Sequence, residues 1–218
     1  MRMEDVLTAS PVIAVLTLTN PRHAAPLARA LLFGGAPVME VTLRTPAALE
    51  CVRIIANEAP EAIVGASTVL NPKDFYAAHA AGAAFIASPG ASAELLDIGV
   101  SAPVPYLPGV SSASELMAAY GRGYDQVKLF PAAPVGGVAM LRALAGPFPG
   151  VTFCATGGVT RQSAPHYLAQ SNVLCVGGSW LAPQSLIEAE DWDAIEQIVR
   201  ATVDDLASQT SRRRGDGA

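Results

Sequence analysis

Short, nearly unbroken apolar runs recur eight times along this chain and alternate with alanine- and leucine-rich stretches of helical period. The runs are Val12–Leu16, Val38–Val41, Ala62–Ala66, Ala84–Ala87, Val104–Leu107, Val127–Phe130, Val151–Cys154 and Val173–Val176. Continuous hydrophobicity over so few residues is the pattern of parallel strands covered on both faces. The stretches between them predict helices over Pro21–Phe33, Pro46–Glu58, Pro72–Ala81, Ala91–Leu96, Ser112–Tyr120, Gly137–Ala145 and Ser163–Gln170. Several open on a capping residue followed by proline (Thr45-Pro46, Asn71-Pro72) and close on glycine (Gly34-Gly35, Gly82). Asp191–Ser208 fits a closing eighth helix, and Glu4–Ala9 a short lid on the barrel floor. Eight strands interleaved with helices in 218 residues predict an α/β fold, a single-domain (β/α)8 TIM barrel. A doubly wound open sheet would set a glycine-rich turn after its first strand; here that turn is Leu16-Thr17-Leu18-Thr19-Asn20-Pro21, without glycine. No Pro/Ser-rich linker divides the chain, so residues 1–210 are expected to form one domain and 211–218, SRRRGDGA, a disordered tail.

Charge and cysteine usage narrow the function classes. The net charge is −5 and the only basic run is Arg212 to Arg214, so no nucleic-acid face is expected. No segment approaches the ~18 uninterrupted apolar residues of a membrane span, and MRMEDVLTAS lacks the apolar stretch of a signal peptide. Cys51, Cys154 and Cys175 are odd in number and widely spaced, which fits a reducing cytoplasm rather than a disulfide framework. His23, His79 and His166 all fall in helix segments, so neither a metal nor another cofactor is expected.

In such barrels chemistry sits at the carboxyl ends of the strands. Only two charges lie inside the predicted strands, Glu40 in the second and Lys128 in the sixth. The lysine stands out because the chain has twelve arginines and only two lysines, Lys73 and Lys128. One reading is a buried stem whose head snorkels or pairs with Glu40. The other is a Schiff-base nucleophile. An amine attacks a carbonyl only when unprotonated, and apolar burial disfavours the ammonium, a lever that arginine lacks. Glu40 then has two readings of its own, as ion-pair partner of Lys128 or Arg44, or as general acid/base. At the barrel mouth the Arg44 guanidinium suits a bidentate hold on a carboxylate. Gly157-Gly158 and Gly177-Gly178-Ser179 follow the seventh and eighth strands, where barrels commonly bind phosphate through backbone N–H groups, with Thr156 and Ser179 adding hydroxyls.

The segments EVTLRT (Glu40–Thr45), STVLNP (Ser67–Pro72), SPG (Ser88–Gly90), KLFPA (Lys128–Ala132), TGGV (Thr156–Val159) and GGSWL (Gly177–Leu181) together resemble the class I 2-dehydro-3-deoxy-phosphogluconate (KDPG) and 4-hydroxy-2-oxoglutarate (KHG) aldolases, over roughly Val6 to Ala207. The resemblance implies a metal-free homotrimeric barrel acting in the Entner–Doudoroff pathway. It would cleave a phosphorylated 2-oxo acid to pyruvate and glyceraldehyde 3-phosphate, and 4-hydroxy-2-oxoglutarate to pyruvate and glyoxylate. It also implies roles: Lys128 forms the imine, Glu40 shuttles protons, and Arg44 with Thr68 holds the pyruvate carboxylate. Pro89 and Phe130 would line the pocket and Thr156 would touch the distal portion. Gly157, Gly158, Gly177, Gly178 and Ser179 would receive phosphate. The chain departs from the common family pattern at Ser67, Ala133 and Ala155, which bears on substrate preference more than on reaction type. Two other readings stay open on the sequence: a phosphosugar isomerase or epimerase on the same barrel, and a sugar-phosphate-binding protein without turnover.

Overall fold

The structure is a computed structural model that describes the backbone of residues 1–215 and the side chains of residues 1–207. Nine parallel strands form its sheet: β1 Val12–Leu16, β2 Val38–Thr42, β3 Ile63–Ser67, β4 Phe85–Ala87, β5 Tyr106–Leu107, β6 Gly109–Val110, β7 Gln126–Leu129, β8 Thr152–Thr156 and β9 Val173–Gly178. Their order is β5-β4-β3-β2-β1-β9-β8-β7-β6. The two ends of that order are one strand. Pro108 has no N–H and parts β5 from β6, so the first half pairs with β4 and the second with β7. The Pro108 carbonyl still accepts from Lys128 N at 2.9 Å, and the sheet closes into the predicted (β/α)8-type barrel.

The helices are α1 Met3–Thr8, α2 Ala24–Phe33 (entered through a 3-10 turn, Pro21–His23), α3 Ala48–Glu58, α4 Pro72–Ala80, α5 Ala93–Ser101, α6 Ala113–Tyr120, α7 Gly137–Ala145, α8 Ala164–Leu168, α9 Gln184–Glu188 and α10 Trp192–Gly215. Their starts follow from capping chemistry. Asn71, Ser92 and Ser112 each accept from the backbone N–H three residues on, at Asp74, Leu95 and Glu115, and Pro72 opens α4 where no N–H is needed. The helix α9 has no counterpart in the hydropathy pattern. The final helix carries its backbone through 211–215, within the stretch expected as a tail; 216–218 lie outside the described residues.

Two apolar clusters result. The larger lies between strands and helices and includes Leu27, Ile55, Phe75, Leu116 and Val199. The smaller fills the barrel: Ile13, Val38, Phe85, Ala87, Leu107, Cys154 and Cys175 meet Met3, Val6 and Leu7 of α1, which plugs the amino-terminal end. The amino-terminal end of the barrel is thereby closed by apolar side chains.

Candidate active site

Alternation along β2 fixes where Glu40 points. All five residues of Val38–Thr42 are buried, and Val38 belongs to the barrel-filling cluster, so Glu40 and Thr42 face the same interior. Register places Glu40 opposite Val15 and Gly65, and Lys128 opposite Gly109 and Cys154. Barrel closure then brings together two side chains 88 residues apart: Lys128 Nζ lies 2.5 Å from Glu40 Oε1. Both are buried, at 4% and 1% exposure. Buried charges persist only when paired, and here the pair is the middle layer of the barrel. The second carboxylate oxygen, Glu40 Oε2, has no protein partner among the described residues. The Phe130 ring completes one wall, with its centroid 5.6 Å from Lys128 Nζ.

Beneath the pair lie two thiols. Cys154 and Cys175 are register partners on β8 and β9. A hydrogen bond between them holds Cys154 below the usual thiol range and, with burial, drives Cys175 well above it. Cys154 Sγ also lies 3.5 Å from Thr156 Oγ1.

Above the pair, the strand ends carry hydroxyls and glycines. Thr17 and Thr42 share a hydrogen bond at 3.0 Å between their hydroxyl oxygens. Ser67, opposite Thr42, is 1% exposed, and its hydroxyl has no protein partner among the described residues. Thr68 follows with φ +62°, a left-handed backbone that costs a non-glycine residue on the order of 1–3 kcal/mol. On the opposite wall, Gly157 and Gly158 have φ values of +97° and +74°. A side chain on Gly177 would run into the Thr156 hydroxyl, and one on Gly158 would come within 2.7 Å of Ala133 Cβ. Glycine here lets the neighbouring groups close in, and Gly158 stays exposed at the rim.

Of the residues singled out from the sequence, Glu40, Lys128 and Phe130 meet directly, and Gly157 packs against Phe130. Thr156 backs Gly177, while Gly178 carries the Trp180 ring on its face. Pro89 packs on Gly109 at the fourth and fifth strand ends. Arg44 and Ser179 occupy the rim after β2 and β9, exposed, and Arg44 has no hydrogen-bond or ion-pair partner among the described residues. Period-two counting from Glu40 and Lys128 would also have found Thr42 and, by register, Thr17, Ser67 and the two cysteines. His23 lies away from the site, 3.2 Å from Glu190 and against Trp192. Among the described residues no group of three or more His, Cys, Asp or Glu could hold a metal ion, and no helix is long and apolar enough to cross a membrane.

Comparison with known proteins gives one answer. The family model for KDPG and KHG aldolase matches residues 3–198. A 2-dehydro-3-deoxy-phosphogluconate aldolase of Pseudoalteromonas atlantica is 48% identical over 92% of this chain and 93% of its own length. A KHG/KDPG aldolase of Escherichia coli is 47% identical over 92% of this chain and 94% of its own length. Among solved structures, KDPG aldolase from Legionella pneumophila, with pyruvate captured as a covalent carbinolamine, superimposes with a TM-score of 0.90 at 45% identity, covering 92% of this chain and 97% of that one. The Zymomonas mobilis 2-keto-3-deoxy-6-phosphogluconate aldolase with 3-phosphoglycerate gives 0.88 at 41% identity, covering 92% and 94%.

Proposed function

The chain belongs to the KDPG and KHG aldolase family, and from that membership we propose that it is a Schiff-base lyase. It cleaves 2-dehydro-3-deoxy-6-phosphogluconate to pyruvate and glyceraldehyde 3-phosphate, and 4-hydroxy-2-oxoglutarate to pyruvate and glyoxylate. The observation that carries this reading is the buried contact of Lys128 Nζ with Glu40 Oε1 at 2.5 Å inside the barrel.

The chemistry follows from that contact. Glu40 takes a proton from the Lys128 ammonium, and the free amine adds to C2 of the 2-oxo acid to give a carbinolamine. Glu40 returns the proton to the C2 hydroxyl, which leaves as water while the nitrogen lone pair forms the C=N bond. The resulting iminium is the electron sink for the next step. Glu40, through a water, removes the C4 hydroxyl proton; the C3–C4 bond breaks, its electrons form the enamine, and the aldehyde departs. Protonation at C3 and hydrolysis then release pyruvate and restore the amine. Arginine at position 128 would hold the charge but offer no such lone pair.

Arg44 and Thr68 hold the pyruvate carboxylate, supported by the partnerless guanidinium of Arg44 and the left-handed backbone of Thr68 at one rim. Pro89 and Phe130 line the pocket and Thr156 meets the distal hydroxyls. The rim at exposed Gly158 and Ser179, with half-buried Gly157 and enclosed Gly177 and Gly178 beside it, takes the phosphate. The protein acts in the cytoplasm as a homotrimer in the Entner–Doudoroff pathway, and the exposed Leu70, Tyr76, Met117 and Tyr120 are apolar surface that copies would cover.

Borohydride reduction in the presence of pyruvate tests the class. The expected product is a pyruvyl adduct mapped by peptide mass spectrometry to Lys128 in the wild type and missing from folded Lys128→Arg. An active wild type without an adduct would overturn the Schiff-base reading and favour an isomerase or epimerase.

A further inference from the structure

Ser67 is the least explained polar residue of the barrel. It ends β3 opposite Thr42, while Gly65, two residues before it, lies opposite Glu40. A side chain on Gly65 would strike the Phe85 ring inside the barrel, so this face of β3 is the interior face. Ser67 therefore points inward one layer above Glu40, on the strand hydrogen-bonded to β2. Its hydroxyl is fully enclosed, as is Glu40 Oε2, and neither atom finds a protein partner among the described residues. The neighbouring hydroxyls of Thr17 and Thr42 have paired with each other. Two enclosed polar atoms on adjacent strands, a carboxylate oxygen and a hydroxyl, are thus without protein partners among the described residues, and each can still bond a substrate hydroxyl.

We infer that Ser67 is a further substrate-contacting residue: its O–H donates to the C2 hydroxyl of the carbinolamine, whose oxygen also accepts the proton that the Glu40 carboxyl carries. The inference rests on the aldolase reading above. In the dehydration step the C–O bond breaks, the C=N bond forms from the nitrogen lone pair, and the oxygen leaves as water with the proton that Glu40 supplies. Ser67 Oγ stays neutral and holds the departing water through its hydrogen bond, so its help is given to C–O cleavage and, in reverse, to iminium hydrolysis. The carboxylate hold at Arg44 and Thr68 does not depend on it.

The test is Ser67→Ala, with Ser67→Gly as a second variant. The readouts are exchange of the pyruvate C3 protons in D2O by NMR, the rate of borohydride-trapped adduct formation, and the melting temperature. Losing one hydrogen bond to the departing water should slow exchange and trapping about tenfold in both variants. KM for pyruvate should move less than about twofold, and Ser67→Ala should melt no lower than wild type, because the hydroxyl it removes has no protein partner. Exchange at the wild-type rate would overturn the inference, and so would a parallel fall of rate and melting temperature, which is the mark of a packing role. A wild type that forms no adduct would instead bring down the aldolase reading and this inference with it.

Discussion

Replacing Lys128 by methionine separates what the ion pair does for stability from what the amine does for chemistry. At 2.5 Å the attraction between Lys128 Nζ and Glu40 Oε1 is about 7 kcal/mol for an effective dielectric constant near 20. Taking both ions out of water costs several kcal/mol each, so the pair as a whole contributes little net stability. Breaking it is another matter. Methionine fills the stem volume but leaves Glu40, 1% exposed and already lacking a partner on Oε2, with no cation at all. Lys128→Met should therefore lose roughly 3–5 kcal/mol of unfolding free energy. The double variant Glu40→Gln/Lys128→Met removes both charges and should return to within about 1 kcal/mol of wild type. Urea unfolding at one fixed protein concentration measures all four corners of the cycle. Neither variant should show aldolase turnover, so stability is restored without activity. A Lys128→Met protein as stable as wild type, or a double variant that shows the sum of two separate losses, would refute a buried, mutually dependent pair.

Glu40→Gln should keep the fold and slow turnover by roughly 10²–10⁴-fold, the scale of general acid–base help; steady-state cleavage at the wild-type rate would remove Glu40 from the mechanism. Arg44→Ala should change stability by less than about 0.5 kcal/mol, since the side chain is exposed. It should raise KM for pyruvate about tenfold or more, as loss of a charge-assisted contact predicts, and an unchanged KM would place the carboxylate elsewhere. Burial pushes the Tyr106 hydroxyl up to about 12, against the lowering effect of its hydrogen bond to Ser88. A folded value above the unfolded one of ~10 gives a contribution fully present below pH ~10 and lost as pH rises toward ~12. Tyr106→Phe should flatten that alkaline fall, and melting curves between about pH 8 and 11.5 that matched the wild type would contradict the assignment.

The alternation of apolar runs and helices was sufficient for the barrel because both faces of every strand are covered, leaving hydropathy nothing to obscure. It failed where backbone pairing and hydropathy part company. β8 and β9 continue past the last apolar residues of the seventh and eighth runs into Thr156 and Gly178, since the ladder needs only N–H and C=O groups. The fifth run has the opposite fault. Its Val104-Pro105 start is apolar yet outside the strand, and beyond its end Pro108 separates Tyr106–Leu107 from a second paired dipeptide, Gly109–Val110, that the run left out. The five residues of α9 are too few to show a helical period. Glu40 and Lys128 were legible because a charge in an apolar strand costs too much to be incidental. Ser67 was legible as a departure from the family pattern but not as an unpaired interior hydroxyl, because only register shows which face a strand-end residue occupies and which atoms fail to pair.

On the proposed mechanism, the depth of the pair within the barrel is what would suit it to chemistry rather than to structure alone. Had the same two residues stood one layer lower, among Ile13, Val38 and Phe85, they would have been sealed by Met3, Val6 and Leu7 of α1, and no carbonyl could have reached the amine. At the depth of the pair the floor is closed by apolar side chains, and the carboxyl ends of the strands lie above. On the proposed mechanism, proton transfer across 2.5 Å would neutralise both groups at once, so the state with a reactive amine would cost no unpaired buried charge. The carbinolamine hydroxyl would then meet Glu40 Oε2 and Ser67 Oγ, which have no protein partner among the described residues. The cost of those two enclosed groups would be relieved along the reaction path rather than in the resting fold, which is the condition for binding energy to lower a barrier instead of deepening a ground state.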